Sequence, residues 1–253
     1  MSTNKHYAQY KYLLMTLDPV HIGTGGYRLG RVDNSIIREP GTNIPKIPGT
    51  SLSGAIRHYA AYQYGKIQCA GKGDQSSTLK HCGKPTCPIC YSFGYTRGDQ
   101  GGHAGTVNIF DAHILFFPVH SMAGPVWITT PNRLIECGFE VAGMNDESEL
   151  TLVNELPSQN NNKVENNWWE NDHLNLGWLM LSVQKDGKIT KYPDSCNLTD
   201  NKAWETIAKR LVVVNDKIFS QVVNSNLEVR TSVSINPQTG AAEEGALFTY
   251  EAI

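Results

Sequence analysis

The sequence runs to 253 residues, 40% of them hydrophobic and 18% charged, the balance of a chain that buries a core. A formal net charge of −2 excludes a generic polycation that coats nucleic acid, yet residues 1–100 carry 12 Lys and Arg against 5 Asp and Glu, while residues 101–253 carry 10 against 19. No run approaches the roughly 20 apolar residues of a membrane-spanning helix, and the opening Met1-Ser2-Thr3-Asn4-Lys5-His6 has no apolar signal core, so a cytoplasmic protein with no membrane partner is expected. The basic half either supplies a polyanion-binding face or reflects chance segregation of solvated charge.

In chain order, Tyr7 to Leu17 is rich in Tyr, Leu and Met, ends before Asp18-Pro19, and predicts a first strand. A glycine-rich loop follows, His21-Ile22-Gly23-Thr24-Gly25-Gly26, then a basic stretch with Arg28 and Arg31, and a Pro/Gly-punctuated connector from Pro40 to Gly49. Thr50 or Ser51 is placed to cap a helix with apolar positions Leu52, Ile56, Tyr59 and Ala60, stopped by Gly65. Residues 69–105 are rich in Cys and Gly with little periodicity and predict an insertion held by something other than a core. Val107 to Phe117 and Val126 to Thr130 predict strands, and the Asn-dominated stretch 158–172 predicts an exposed loop. Leu174 to Val183, the turn Lys185-Asp186-Gly187-Lys188 and Ile189-Thr190 predict a hairpin, and Thr199 or Asp200 caps a helix through about Val213. Strands with only two or three helices give an α+β class with a largely antiparallel sheet.

Several motifs carry chemistry. The His21–Gly26 loop could present backbone N–H groups to phosphate or be a tight turn; it lacks the Gly-Lys-Ser/Thr of a Walker loop. The segment Ile47-Pro48-Gly49-Thr50-Ser51-Leu52-Ser53-Gly54 places hydroxyls and N–H groups at a helix start, where phosphate binds, with Arg57 about one turn further in; ordinary capping needs no ligand. Cys69, Cys82, Cys87 and Cys90 are spaced C-x12-C-x4-C-x2-C, and the last three, set among Gly and Pro, suit a tetrahedral structural zinc site. Cys69 is the expected fourth ligand, with His81 the alternative. Cys137 and Cys196 are expected as buried thiols. Trp168-Trp169 either stacks on bases or a partner, or anchors its loop. Asp33 either holds a divalent cation or pairs with Arg31 or Arg28 at the surface.

In this order the pieces resemble a known family. His21 to Gly25, Val32-Asp33-Asn34-Ser35-Ile36-Ile37-Arg38-Glu39 and Asn43-Ile44-Pro45-Lys46-Ile47-Pro48-Gly49-Thr50-Ser51-Leu52-Ser53-Gly54-Ala55-Ile56-Arg57 are similar to the opening of the RAMP-superfamily backbone subunits of type III CRISPR–Cas effector complexes. Cys87 to Gly94 and Asn108 to Ala112 continue the match. Phe116 to Ser121 with Trp127 to Pro131 resembles the Cmr branch, and Arg230 to Gly240 with Glu244 to Glu251 resembles both the Cmr and Csm branches.

The resemblance implies a ferredoxin-like core of the RNA-recognition type, elaborated by the zinc-binding insertion and by a thumb-like β-hairpin from Arg230 to Tyr250. It implies a CRISPR guide RNA and a complementary single-stranded target RNA as partners, with other copies or paralogous subunits stacked in a filament. Asp33 matches the loop aspartate that cuts the target with magnesium or another divalent cation. The expected RNA-binding set is His21, Gly23, Thr24, Gly25, Arg28, Arg31, Lys46, Gly49, Thr50, Ser51, Ser53, Arg57 and Arg230. A glycine-rich segment that follows the hairpin in the family is not found before Ile253. The competing expectations are a non-catalytic scaffold subunit, and a stand-alone processing nuclease with His21 in acid–base work.

Overall fold

The computed structural model describes residues 7–25, 32–71, 81–96, 101–144, 147–157, 164–165, 168–194, 198, 201–243 and 246–253. Arg28, Arg31, Cys196, Thr199, Asp200 and most of the Asn-rich stretch lie outside these residues. The chain divides into two compact units: Met1–His21 with Gly25–Ile44 and Ile114–Ile253, and Ile22–Thr24 with Pro45–His113. No helix among the described residues is long and apolar enough to cross a membrane.

The larger unit is built on a mixed sheet ordered His173–Leu176, Leu179–Lys191, Leu150–Leu156, Leu211–Val214, Gly124–Thr129, Phe117–Ser121. Most neighbours are antiparallel, but Leu179–Lys191 runs parallel to Leu150–Leu156, and Leu211–Val214 parallel to Gly124–Thr129. Alternation along the strands sends side chains to two cores. Val212 and Val214 join Leu150, Leu152, Val126 and Ile128 in one, covered by Phe219, Val222 and Val223. These three recur at helical spacing on the Asp216–Ser225 helix, whose first turn is capped by the Asn215 side chain accepting from the Ile218 N–H. Leu211 and Val213 join Val153 and Leu156 in the other, under Leu134, Trp204 and Ile207.

The structure departs from the sequence expectations at several elements. The helix expected to run to Val213 is Lys202–Ala208, capped by Asn201 through Ala203 and Trp204 N–H. Leu211–Val214 is instead the central strand, because four consecutive residues buried on both faces suit a sheet interior and leave a helix no polar side. The hairpin bends at Gly177, whose φ is 61°, between His173–Leu176 and Leu179–Lys191. The Lys185–Lys188 stretch continues the strand through register shifts. Gly187 serves close approach rather than a turn, since a Cβ there would sit 2.5 Å from the Leu152 carbonyl oxygen. Residues 7–17 form no strand: their backbone finds no ladder partner among the described residues, and a strand needs one. Tyr12 and Leu17 stand 81% and 86% exposed.

A separate antiparallel ribbon, Glu228–Ser232 with Phe248–Ala252, pairs Arg230 with Tyr250 and Thr231 with Thr249. Beyond it the bridge Ile235–Ala242 leads to the turn at Asn236, whose side chain accepts from the Gln238 and Thr239 N–H groups.

In the smaller unit the Gly49–Gln63 helix begins at Pro48 with no side-chain cap, so neither Thr50 nor Ser51 caps it. The expected Val107–Phe117 strand is reduced to Ala112–His113, paired with Lys46–Ile47, while Phe117 opens the next strand. The buried core here is small: Ala61, Cys69, Cys87, Ile89 and Cys90.

Candidate functional site

Asp33 is exposed, but its carboxylate is not loose. Its Oδ2 accepts from the Thr249 N–H at 2.7 Å and from the Thr249 hydroxyl at 3.0 Å. The Asp33 N–H donates to the same hydroxyl at 3.2 Å. Asp33 Oδ1 has no hydrogen bond among the described residues. The Thr249 N–H first, and then its hydroxyl, hold the Asp33 carboxyl below the usual carboxylate range.

The chain after Asp33 is stapled to the same strand. Asn34 N–H donates to the Thr249 carbonyl at 3.0 Å, and Glu251 N–H donates to the Asn34 carbonyl at 3.2 Å. Arg38 forms a 2.8 Å ion pair with Glu251, with side chains 18% and 13% exposed, and also donates to Asn224 and to the Ile36 carbonyl. On the next residue along, the His21 ring lies edge-on to Tyr250 at 5.2 Å. His21 Nδ1 is 2.6 Å from the Glu251 carbonyl oxygen; a carbonyl only accepts, so Nδ1 carries the proton and Nε2 is left as an acceptor in the neutral ring. Arg230, cross-strand from Tyr250, is exposed and donates to Glu228 at 2.6 Å. Three consecutive strand residues, Thr249 to Glu251, thus gather Asp33, His21 and Arg230.

The start of the Gly49–Gln63 helix is organised differently. Asp111 Oδ1 accepts from the Gly49 N–H at 2.8 Å, and its Oδ2 pairs with Lys46 at 2.5 Å. Lys46 first, then the Gly49 N–H, hold the Asp111 carboxyl below its usual range. A protein carboxylate therefore occupies the anion position that the sequence offered to phosphate at Gly49. A Cβ on Gly49 would meet the Ile109 carbonyl oxygen at 2.2 Å, so packing alone demands this glycine, whereas Gly54 faces open space. Thr50 and Ser51 are exposed and Ser53 half-buried. Arg57 turns to the cysteine lobe, donating Nε to the Cys69 carbonyl at 2.9 Å and Nη2 to His81 Nδ1 at 3.0 Å. In the glycine loop, Gly23 and Gly25 are exposed and Thr24 half-buried; Gly25 takes φ 75°.

Cys69, Cys82, Cys87 and Cys90 bring their sulfur atoms within 4.8 Å of one another. A Zn–S bond of about 2.3 Å puts tetrahedral sulfurs about 3.8 Å apart, and the separations are 3.6 Å for Cys69–Cys90, 3.8 Å for Cys82–Cys90 and 3.9 Å for Cys69–Cys87. The donor set fits a metal such as zinc, with Cys69 in the cluster and His81 engaged by Arg57. Burial pushes the Cys69 thiol up to about 12. Burial also acts upward on Cys82, but hydrogen bonds from the Lys84 backbone and the neighbouring thiols bring it down to about 7. Cys137, expected as a buried thiol, is half-buried. Trp168 and Trp169 pack against the main core, Trp169 donating to the His173 carbonyl.

Sequence reasoning singled out neither Thr249 nor Asp111. Both act through pairings across 216 and 62 residues, which no local pattern signals.

Residues 13–253 match the RAMP superfamily. The CRISPR system Cmr endoribonuclease Cmr4 of Pyrococcus furiosus is 30% identical over 252 residues, covering 95% of this chain and 76% of that protein. Among solved structures, a chain of type III-B Cmr-beta in its apo state, determined by cryo-EM, is similar with a TM-score of 0.58 at 14% identity, over 93% of this chain and 76% of that one. A chain of type III-B Cmr-beta bound to cognate target RNA gives 0.54 at 15% identity over the same shares. At such identities the structural likeness speaks to fold alone.

Proposed function

The chain belongs to the RAMP superfamily, and on that premise we propose that it is a guide-RNA-binding backbone subunit of a type III CRISPR interference complex that cuts the paired target RNA at Asp33. The observation that carries this is the Asp33 carboxylate itself: one oxygen is held by two donors of the Phe248–Ala252 strand and the other has no bond among the described residues, while the same strand holds His21. The endoribonuclease name of the Pyrococcus relative supports a cutting role.

RNA cleavage needs charge management around one phosphate and a ribose 2′-OH placed to attack it. Asp33 Oδ1 is the acceptor assigned to this task, and Arg230, exposed on the neighbouring strand of the same ribbon, is a cation for phosphate contact. Magnesium uses one or two carboxylates plus substrate phosphates rather than an all-protein cage. That matches Asp33, which belongs to no cluster of three or more metal-ligating side chains among the described residues. When bound, the cation would supply charge stabilisation at the scissile phosphate. Guide contact is sequence-independent in this reading, through the exposed hydroxyls of Thr50 and Ser51 and the loop from His21 to Gly25, while base pairing reads the target. The cysteine cluster holds a structural zinc, closed by four protein ligands. The ribbon around Arg230 and Tyr250 serves as the thumb-like hairpin, the mixed sheet as an elaborated ferredoxin-like core, and further copies or paralogues stack along the guide.

One observation favours a second reading. The bonds between Asp33 and Thr249 also staple a loop to a strand, as a non-catalytic scaffold would need. Cleavage of a complementary RNA by the complex assembled on a guide separates the two: regularly spaced products support the first, and tight target binding without products supports the second.

A further inference from the structure

We propose that Thr249 is a positioning residue for cleavage, fixing the Asp33 carboxylate so that Oδ1 is the oxygen presented to RNA. The inference rests on the catalytic reading of Asp33 and deepens it.

An exposed aspartate ordinarily samples several rotamers, and its carboxylate torsion is broad. Here both donors to Oδ2 come from one residue, the Thr249 N–H at 2.7 Å and its hydroxyl at 3.0 Å. The hydroxyl is itself oriented, because it accepts from the Asp33 N–H at 3.2 Å and so directs its single proton to Oδ2. The threonine is also fixed. Its carbonyl accepts from Asn34 at 3.0 Å, its backbone pairs with Thr231 across the ribbon, and a β-branched side chain has a restricted χ1. Asp33 and Thr249 thus form a closed ring of hydrogen bonds across 216 residues. The ring saturates Oδ2 and, among the described residues, leaves Oδ1 without a bond, so the threonine fixes which oxygen faces outward.

The hydroxyl can be removed while the backbone bond stays. Thr249→Val keeps the shape and the N–H donor; Thr249→Ser keeps the hydroxyl and drops the methyl. In the assembled complex, the single-turnover rate of cutting bound target is expected to fall about 10- to 100-fold in Thr249→Val, the range in which small misplacements of reacting groups act. Target affinity should be unchanged, and Thr249→Ser should return to within about threefold of the parent protein, because the hydroxyl persists. Adding Thr249→Val to Asp33→Ala should cost nothing further, since the two act as one unit. A Thr249→Val complex that cuts at the parent rate, while Asp33→Ala does not cut, overturns the positioning role and leaves the catalytic reading intact. If Asp33→Ala itself cuts normally, the underlying reading has failed instead. Should Thr249→Val not assemble, Thr249→Ser is compared with Thr249→Ala: Ser at least about tenfold faster supports the proposal, and equal rates overturn it.

Discussion

Removing the metal from the cysteine cluster, by a strong chelator or by Cys90→Ser, should melt the lobe around it and leave the large sheet folded. Among the described residues, apart from the thiols its fully buried core is Ala61 and Ile89, with Phe93 and Tyr95 partly buried against it, and full burial of an isoleucine contributes only about 1.5–3 kcal/mol. A structural zinc contributes on the order of 10–16 kcal/mol, several times that amount and comparable with the 5–15 kcal/mol that holds a whole domain together. Cys90 is fully buried, with its sulfur 3.6 Å from Cys69 and 3.8 Å from Cys82, so a serine oxygen there breaks the set at its centre. Hydrogen exchange reports this directly. After metal removal, amides in 61–71 and 81–96 should lose protection, while those in 124–129, 150–156 and 211–214 should keep it. Elemental analysis should give about one zinc per chain. Purified protein without zinc, or a lobe equally protected after extraction, refutes the reasoning.

Gly187→Ala should lower stability by about 2 kcal/mol or more, because its Cβ would lie 2.5 Å from the Leu152 carbonyl oxygen; an unchanged thermal midpoint would contradict the parallel register there. Gly54→Ala enters open space and should stabilise the helix by about 0.5–1 kcal/mol, whereas Gly54→Trp should weaken RNA binding for every guide sequence alike, as competition assays with unrelated guides would show. Arg57→Ala should speed zinc loss without altering the salt dependence of RNA affinity, because its guanidinium is turned to the Cys69 carbonyl and to His81. A slope flatter by about 0.7 log units would instead identify a phosphate contact.

What the sequence made legible was local. The cysteine spacing announced that four thiols gather in one lobe because ligand geometry is short-range, and the turn chemistry at Asn236 announced the ribbon bend. Asp33 stood out as a lone carboxylate in a basic stretch. What stayed hidden depends on distant pairing. Leu211–Val214 follows a capped helix and reads as its continuation until the sheet on both sides is known. Gly187 looks like a turn glycine when it serves a close backbone approach. Asp111 cannot be picked out as the partner of the Gly49 N–H from a position 62 residues away, and its presence changes the chemistry of that helix start from an open anion site to a filled one.

The central claim is that Asp33 cuts. Asp33→Ala removes the carboxylate but leaves Arg230 and the Thr249 backbone in place, so the assembled complex should bind complementary RNA as well as the parent or slightly better, one negative charge having left a polyanion site. Cleavage of that bound RNA should fall by orders of magnitude. Target cutting at the parent rate by the Asp33→Ala complex would contradict the account and leave a scaffold subunit in its place.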